Sequence, residues 1–84
     1  VSQPRLQLYG REGCHLCEEA RQGLLRLRRE GLQFELVEVD IETDSSLHRR
    51  LLERIPVVEI DGERICELFL DADAVRSRLA TFRV

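Results

Sequence analysis

The sequence predicts one α/β domain over residues 1–84, with element order β-α-β-α-β-β-α and a four-stranded mixed sheet flanked by three helices. Three observations predict it. Two runs of alternating apolar and polar residues are separated by a stretch with helical spacing. An Asp-Gly pair divides a later β-prone run in two, and a Cys-x-x-Cys stands where the first strand gives way to the first helix. Strands joined by a helical crossover pair in parallel, whereas strands joined by a two-residue turn pair antiparallel, so the sheet is mixed.

The first strand is Leu6-Gln7-Leu8-Tyr9, bounded by Pro4 and Gly10. A helix follows from about His15 to Glu30, in which Cys17, Ala20, Leu24 and Leu27 recur at steps of three and four and Gly31 supplies a C-terminal cap. Gln33 to Asp40 alternates over most of its length and reads as the second strand. Thr43, Asp44, Ser45 and Ser46 are N-cap candidates for a short helix from about Leu47 to Glu53, which Pro56 terminates by forcing Ile55 toward an extended backbone. Val57–Ile60, the Asp61-Gly62 turn and Glu63–Leu68 form a hairpin. Asp71 or Asp73 caps a last helix with Val75, Leu79 and Phe82 on one side.

The 84 residues are 43% hydrophobic and 35% charged, the balance of a soluble globular domain and not of a disordered chain. No apolar run approaches the roughly 20 residues that span a bilayer. The segment Val1–Arg5 lacks the apolar stretch of a signal peptide, so the cytosol is the expected location. The net charge of -3, spread along the chain, argues against nucleic acid as a partner. The chain is expected to act as a monomer, without a membrane.

Cys14-His15-Leu16-Cys17 carries the chemistry. At or near the N-cap of the first helix, Cys14 meets free backbone N–H groups and the positive end of the helix dipole, which favour its thiolate. Arg11 and a protonated His15 add positive charge nearby. The thiolate is the form that attacks a disulfide, and Cys17, one helical turn on, is placed to resolve the product. A zinc site is the competing reading. It needs four ligands, and beyond the pair only Cys66, His15 and His48 are at hand, with no second Cys-x-x-Cys, so the spacing points to redox chemistry and no metal is assigned.

Tyr9 through Cys17, followed by Ile55-Pro56-Val57-Val58 and a hairpin, resembles the thioredoxin superfamily, and within it the compact glutaredoxin-like proteins, over nearly the whole chain. The resemblance implies a thioredoxin/glutaredoxin-like fold and a thiol–disulfide oxidoreductase in which Cys14 attacks and Cys17 resolves. It also implies a cis bond before Pro56, with the peptide groups of Ile55 free beside Cys14 to pair with an extended substrate. On this reading Tyr9, Arg11, His15, Ile55 and Pro56 form the substrate-binding surround. The partners would be protein disulfides or glutathione together with a reductase or dithiol donor. No cofactor is needed, glutathione being a candidate co-substrate.

The chain departs from the family pattern in two places. His15-Leu16 stands between the cysteines where thioredoxins and glutaredoxins carry Gly-Pro or Pro-Tyr. Where glutaredoxins have a Gly-Gly turn after the last strand, Glu67-Leu68-Phe69-Leu70-Asp71 is found, with bulky Phe69 and Leu70 close to where glutathione would lie. A protein partner and glutathione therefore both stand as expectations. The alternative function is a non-catalytic module of the same fold that binds a metal, an iron–sulfur cluster or a partner protein. Cys66 is expected in the core, and Arg49-Arg50 on a solvated helix face or against a substrate carboxylate.

Overall fold

In the computed structural model, which describes residues 3–81, strand β1 (Arg5–Gly10) lies between β2 (Glu35–Asp40) and β3 (Val57–Ile60), and β4 (Glu63–Glu67) extends the sheet beyond β3. β1 and β2 pair in parallel, with Leu6 opposite Leu36 and Tyr9 opposite Val39. The β1–β3 and β3–β4 pairs are antiparallel. Helices α1 (His15–Arg29), α2 (Ser45–Leu51) and α3 (Ala72–Ala80) complete the expected order, with one additional turn of 3-10 helix at Ile41–Thr43. The mixed sheet and the three helices are those the sequence predicts.

Alternation along β1 divides its side chains between two apolar clusters, because successive strand residues face opposite sides of a sheet. Leu6 and Leu8 join Ala20, Leu24 and Leu27 of α1, Val58 and Ile60 of β3, Phe34 and Val75. Tyr9 turns to the smaller cluster, where Cys17, Ile41, Leu51, Ile55 and Val57 are buried together with Cys14 and Leu47 at the margin. The cysteine pair is therefore seated on packed side chains. Val75 and Leu79 of α3 reach the main cluster, whereas Phe82 lies outside the described residues.

Each helix end has a local cause. α1 stops in a Schellman motif: the Gly31 N–H bonds the Arg28 carbonyl and the Leu32 N–H bonds the Leu27 carbonyl, with Gly31 at φ +109°. Asp44 accepts from the Ser46 and Leu47 N–H groups, so α2 starts at Ser45, two residues before its expected start, and ends at Leu51 instead of Glu53. Asp71, not Asp73, caps α3 through the Ala74 N–H. The second strand begins two residues later than expected, since Phe34 is drawn into the core and the Glu35 N–H bonds the Pro4 carbonyl.

Asp61 at φ 50° and Gly62 at φ 87° make the two-residue turn of the hairpin, the left-handed pair that matches the twist of its strands. A register shift between Val58 and Glu59 leaves Ile65 without an opposite residue, and both Ile65 and Cys66 then pack on the main cluster. The last strand stops at Glu67, one residue earlier than expected. Leu68 adopts φ 74°, and its N–H turns to the carbonyls of Arg54 (3.0 Å) and Pro56 (2.8 Å). A branched side chain in that left-handed region carries strain of about 1–3 kcal/mol. Leu68→Gly, which fits the same backbone freely, is therefore expected to raise stability by about 1 kcal/mol after the entropy cost of a glycine. Urea unfolding of the two proteins measures the difference; a lower midpoint for the variant would contradict it.

Candidate functional site

β1 delivers the chain at Gly10 into the turn Arg11-Glu12-Gly13, where Gly13 takes φ +81°, a value natural for glycine alone. Cys14 follows in an extended backbone and caps α1: its carbonyl accepts the Glu18 N–H at 3.1 Å, and its sulfur accepts the Cys17 N–H at 3.1 Å. The two sulfurs are joined in a disulfide with the Cα atoms 5.2 Å apart, within the ordinary span of such bridges. Cys17 is 8% exposed and belongs to the buried cluster, while Cys14 is half-buried at its edge. The outer sulfur is the one a partner can reach.

Gly10 makes this seating fit. A Cβ at that position would stand 3.0 Å from the Cys17 Sγ and 3.1 Å from its Cβ, closer than such contacts normally run. The sequence marked Gly10 only as a strand boundary. Its role against Cys17 comes from tertiary packing, which no local pattern encodes.

The structure places the other candidate residues unevenly. Tyr9 packs on the cluster that holds the cysteines, and its hydroxyl donates to Glu59 Oε1 at 3.3 Å. Burial and the Glu59 carboxylate hold that phenol above its ordinary pKa. Arg11 is paired with Glu42 at 3.2 Å, and the ring of exposed His15 with Glu19 at 2.9 Å. Both side chains expected to aid the Cys14 thiolate are met by carboxylates, while the N–H groups at the start of α1 still face the Cys14 sulfur. The His15–Glu19 pair sits at i,i+4, a spacing visible in the chain.

Ile55 and Pro56 are buried, and the peptide bond between them is cis. The Ile55 N–H is not free: it donates to the Leu51 carbonyl at 3.0 Å, and the Pro56 carbonyl accepts the Leu68 N–H. This corrects the expectation of two open peptide groups. The Ile55 carbonyl is the remaining group on which an extended segment could pair.

Beside Cys14 opens a cleft of about 500 Å³ lined by Gly10 to Cys14 and by Glu18, Glu38 and Asp40. Arg21 bridges Glu18 and Glu38 at 3.7 and 3.2 Å across it. Carboxylates prevail there. Among the described residues no group of three His, Cys, Asp or Glu side chains is arranged to hold a metal ion. Cys66 is half-buried on β4, its sulfur accepting the Asp71 N–H at 3.5 Å. Burial is the larger influence and pushes the Cys66 thiol up from its ordinary range, so less thiolate forms at neutral pH. Iodoacetamide at pH 7 should therefore modify Cys66 more slowly than a free cysteine, with the rate recovering as pH rises. Mass spectrometry of the labelled peptides measures this; labelling of Cys66 at the free rate would contradict it.

Comparison with known proteins follows the same lines. The family model described as "Glutaredoxin-like domain (DUF836)" matches residues 5–80. A protein of Nitrosomonas europaea solved by solution NMR is 36% identical, with a TM-score of 0.77 and 93% of each chain covered. An uncharacterized protein of Mycobacterium tuberculosis is 28% identical over 95% of this chain and 87% of its own length. A thioredoxin from Halobacterium salinarum, at 19% identity, shares the fold with a TM-score of 0.64 over 99% of this chain and 79% of its own.

Proposed function

The chain belongs to the glutaredoxin-like domain family, and from that premise we propose that it is a thiol–disulfide oxidoreductase working through Cys14 and Cys17. One observation carries the reading. A half-buried cysteine caps a helix and is bridged to a buried cysteine one turn away. The first N–H groups of a helix lack partners within it, and they favour negative charge at an atom placed before them. The Cys17 N–H already points to the Cys14 sulfur.

The exchange conserves electrons and protons. In the reduced protein the Cys14 thiolate attacks one sulfur of a substrate disulfide, forming a mixed disulfide and expelling the other sulfur as a thiolate. Cys17 then loses its proton and attacks the Cys14 sulfur. The Cys14–Cys17 bond forms, the second substrate sulfur leaves, and the Cys17 proton ends on a departing thiolate. Two electrons have passed to the substrate. A dithiol, or two monothiols, returns them by the reverse steps. Tyr9, Ile55 and Pro56 would wall the approach to Cys14, and Arg11 and His15 the other side. A reducing compartment such as the cytosol suits a protein whose third cysteine, Cys66, is a free thiol.

Two variants separate the roles. Cys14→Ser is expected to lose reduction of a small disulfide down to the uncatalysed rate. Cys17→Ser should keep the first attack and accumulate a Cys14 mixed disulfide, visible as a mass increase equal to one substrate half. Full turnover by Cys14→Ser, measured as thiol released per protein, would end the proposal.

A further inference from the structure

The large apolar side chains exposed among the described residues are Leu16, Leu52, Leu68 and Phe69, at 47%, 37%, 44% and 66%. They form an arc. Leu52 and Leu68 line a hollow of about 620 Å³ with Arg49, Arg50 and Arg54. Phe69 follows Leu68 in the chain and shares a second hollow, of about 300 Å³ between α1 and α3, with Leu16. Leu16 stands between the two cysteines, and Leu68 is tied through its N–H to the Pro56 carbonyl. The arc thus runs from the end of α2, past Pro56, to the start of α1.

Taking Cys14–Cys17 as the exchanging pair proposed above, we infer that this arc receives an extended segment of another protein, with an apolar residue beside its cysteine and acidic residues on the side that meets α2. Contiguous exposed apolar surface of this kind marks interaction sites. Three further features choose the occupant.

Backbone pairing offers little at this place, because of the Ile55–Pro56 groups the Ile55 carbonyl alone is left. Binding must then come mainly from side chains. Glutathione has no apolar side chain to lay on Leu68 and Phe69, whereas a protein segment does.

Charge sets the orientation. Arg49 and Arg50 make no ion pair among the described residues, and of the carboxylates in their hollow Glu67 is bound by Arg54 and Arg64, leaving Glu53. The cleft on the other side of Cys14 carries Glu12 and Asp40 besides Glu18 and Glu38, which Arg21 bridges, and Arg11 is its lining arginine. A segment acidic toward α2 meets complementary charge, and a reversed one brings its acidic residues to the carboxylates of the cleft.

The turn itself is held against its own preference. Leu68 keeps a left-handed backbone that glycine adopts at no cost, and in doing so it leaves two bulky apolar residues facing solvent. Packing of Leu70 against Gly23 of α1 anchors the far side: a Cβ on Gly23 would stand 2.5 Å from Leu70 Cδ2.

The test uses the reduced protein and short peptides whose single cysteine carries a thionitrobenzoate leaving group, released on attack by Cys14 and followed by absorbance. One peptide flanks its cysteine with Leu and Glu, one with Leu and Arg, one with Ser and Glu. The thionitrobenzoate derivatives of glutathione and mercaptoethanol complete the set. The Leu/Glu peptide should react about tenfold faster than the Leu/Arg peptide and than the glutathione derivative. Phe69→Ser and Leu68→Gly should each lower its rate severalfold relative to mercaptoethanol, and an unfolding midpoint no lower than the parent's in Leu68→Gly would show that the loss is not one of folding. Arg49→Glu combined with Arg50→Glu should reverse the charge preference. Equal rates for all peptides, or a faster glutathione derivative, would overturn the inference while leaving the exchange chemistry standing. Concentration-dependent self-association abolished by Phe69→Ser would give the arc to a second copy of the chain and overturn it too. Failure to react even with the mercaptoethanol derivative would remove the exchange reading on which the inference rests.

Discussion

The backbone N–H groups at the start of α1 need an acceptor, as they do at the start of every helix. Asp44 and Asp71 supply a carboxylate for α2 and α3. Cys14 supplies a sulfur for α1. That one substitution of sulfur for oxygen turns a cap into a candidate nucleophile, because the same N–H groups that steady the helix also favour charge on the sulfur. The geometry of the site follows from this requirement. Gly13 bends the chain so that Cys14 can cap, and the first turn of α1 carries Cys17 back beneath it.

Packing makes the two sulfurs unequal. Cys17 lies among Ile41, Leu51, Ile55 and Val57, and the missing side chain at Gly10 leaves it room. Cys14 is at the edge of the same cluster, open to approach. Around the pair, arginines and carboxylates are matched one against another, as Arg11 is with Glu42 and Arg21 with Glu18 and Glu38. Such exposed pairs contribute little to stability singly. Their consequence here is electrostatic: the nearby cations are balanced, and the helix end remains as the directed source of potential.

Much of this was legible in the chain because its signals are local. The Asp61-Gly62 turn, the Gly31 cap and the strand–Cys-x-x-Cys–helix junction each rest on residues adjacent in sequence, and each appears where those residues stand. What escaped is tertiary. Ile41 is fully buried although Asp40 and Glu42 flank it, because a short 3-10 turn tips it inward. Gly10 and Gly23 are explained by Cys17 and Leu70, one seven residues off and one in the loop before α3, and no periodicity points to either. Leu68 escaped for a different reason. Glycine normally announces a left-handed turn, and here the turn persists without it, held by the carbonyls of Arg54 and Pro56.

On the proposed function, Cys14 and Cys17 form one reversible two-electron couple from which Cys66 stands apart. The most direct measurement equilibrates the protein across a series of thiol–disulfide redox buffers, quenches it by alkylation and counts the labels by mass. A single transition is expected, at a potential within about -270 to -120 mV, in which Cys14 and Cys17 gain or lose protection together while Cys66 is labelled throughout. A pair that never changes state over that range, or a transition that consumes Cys66, would contradict it.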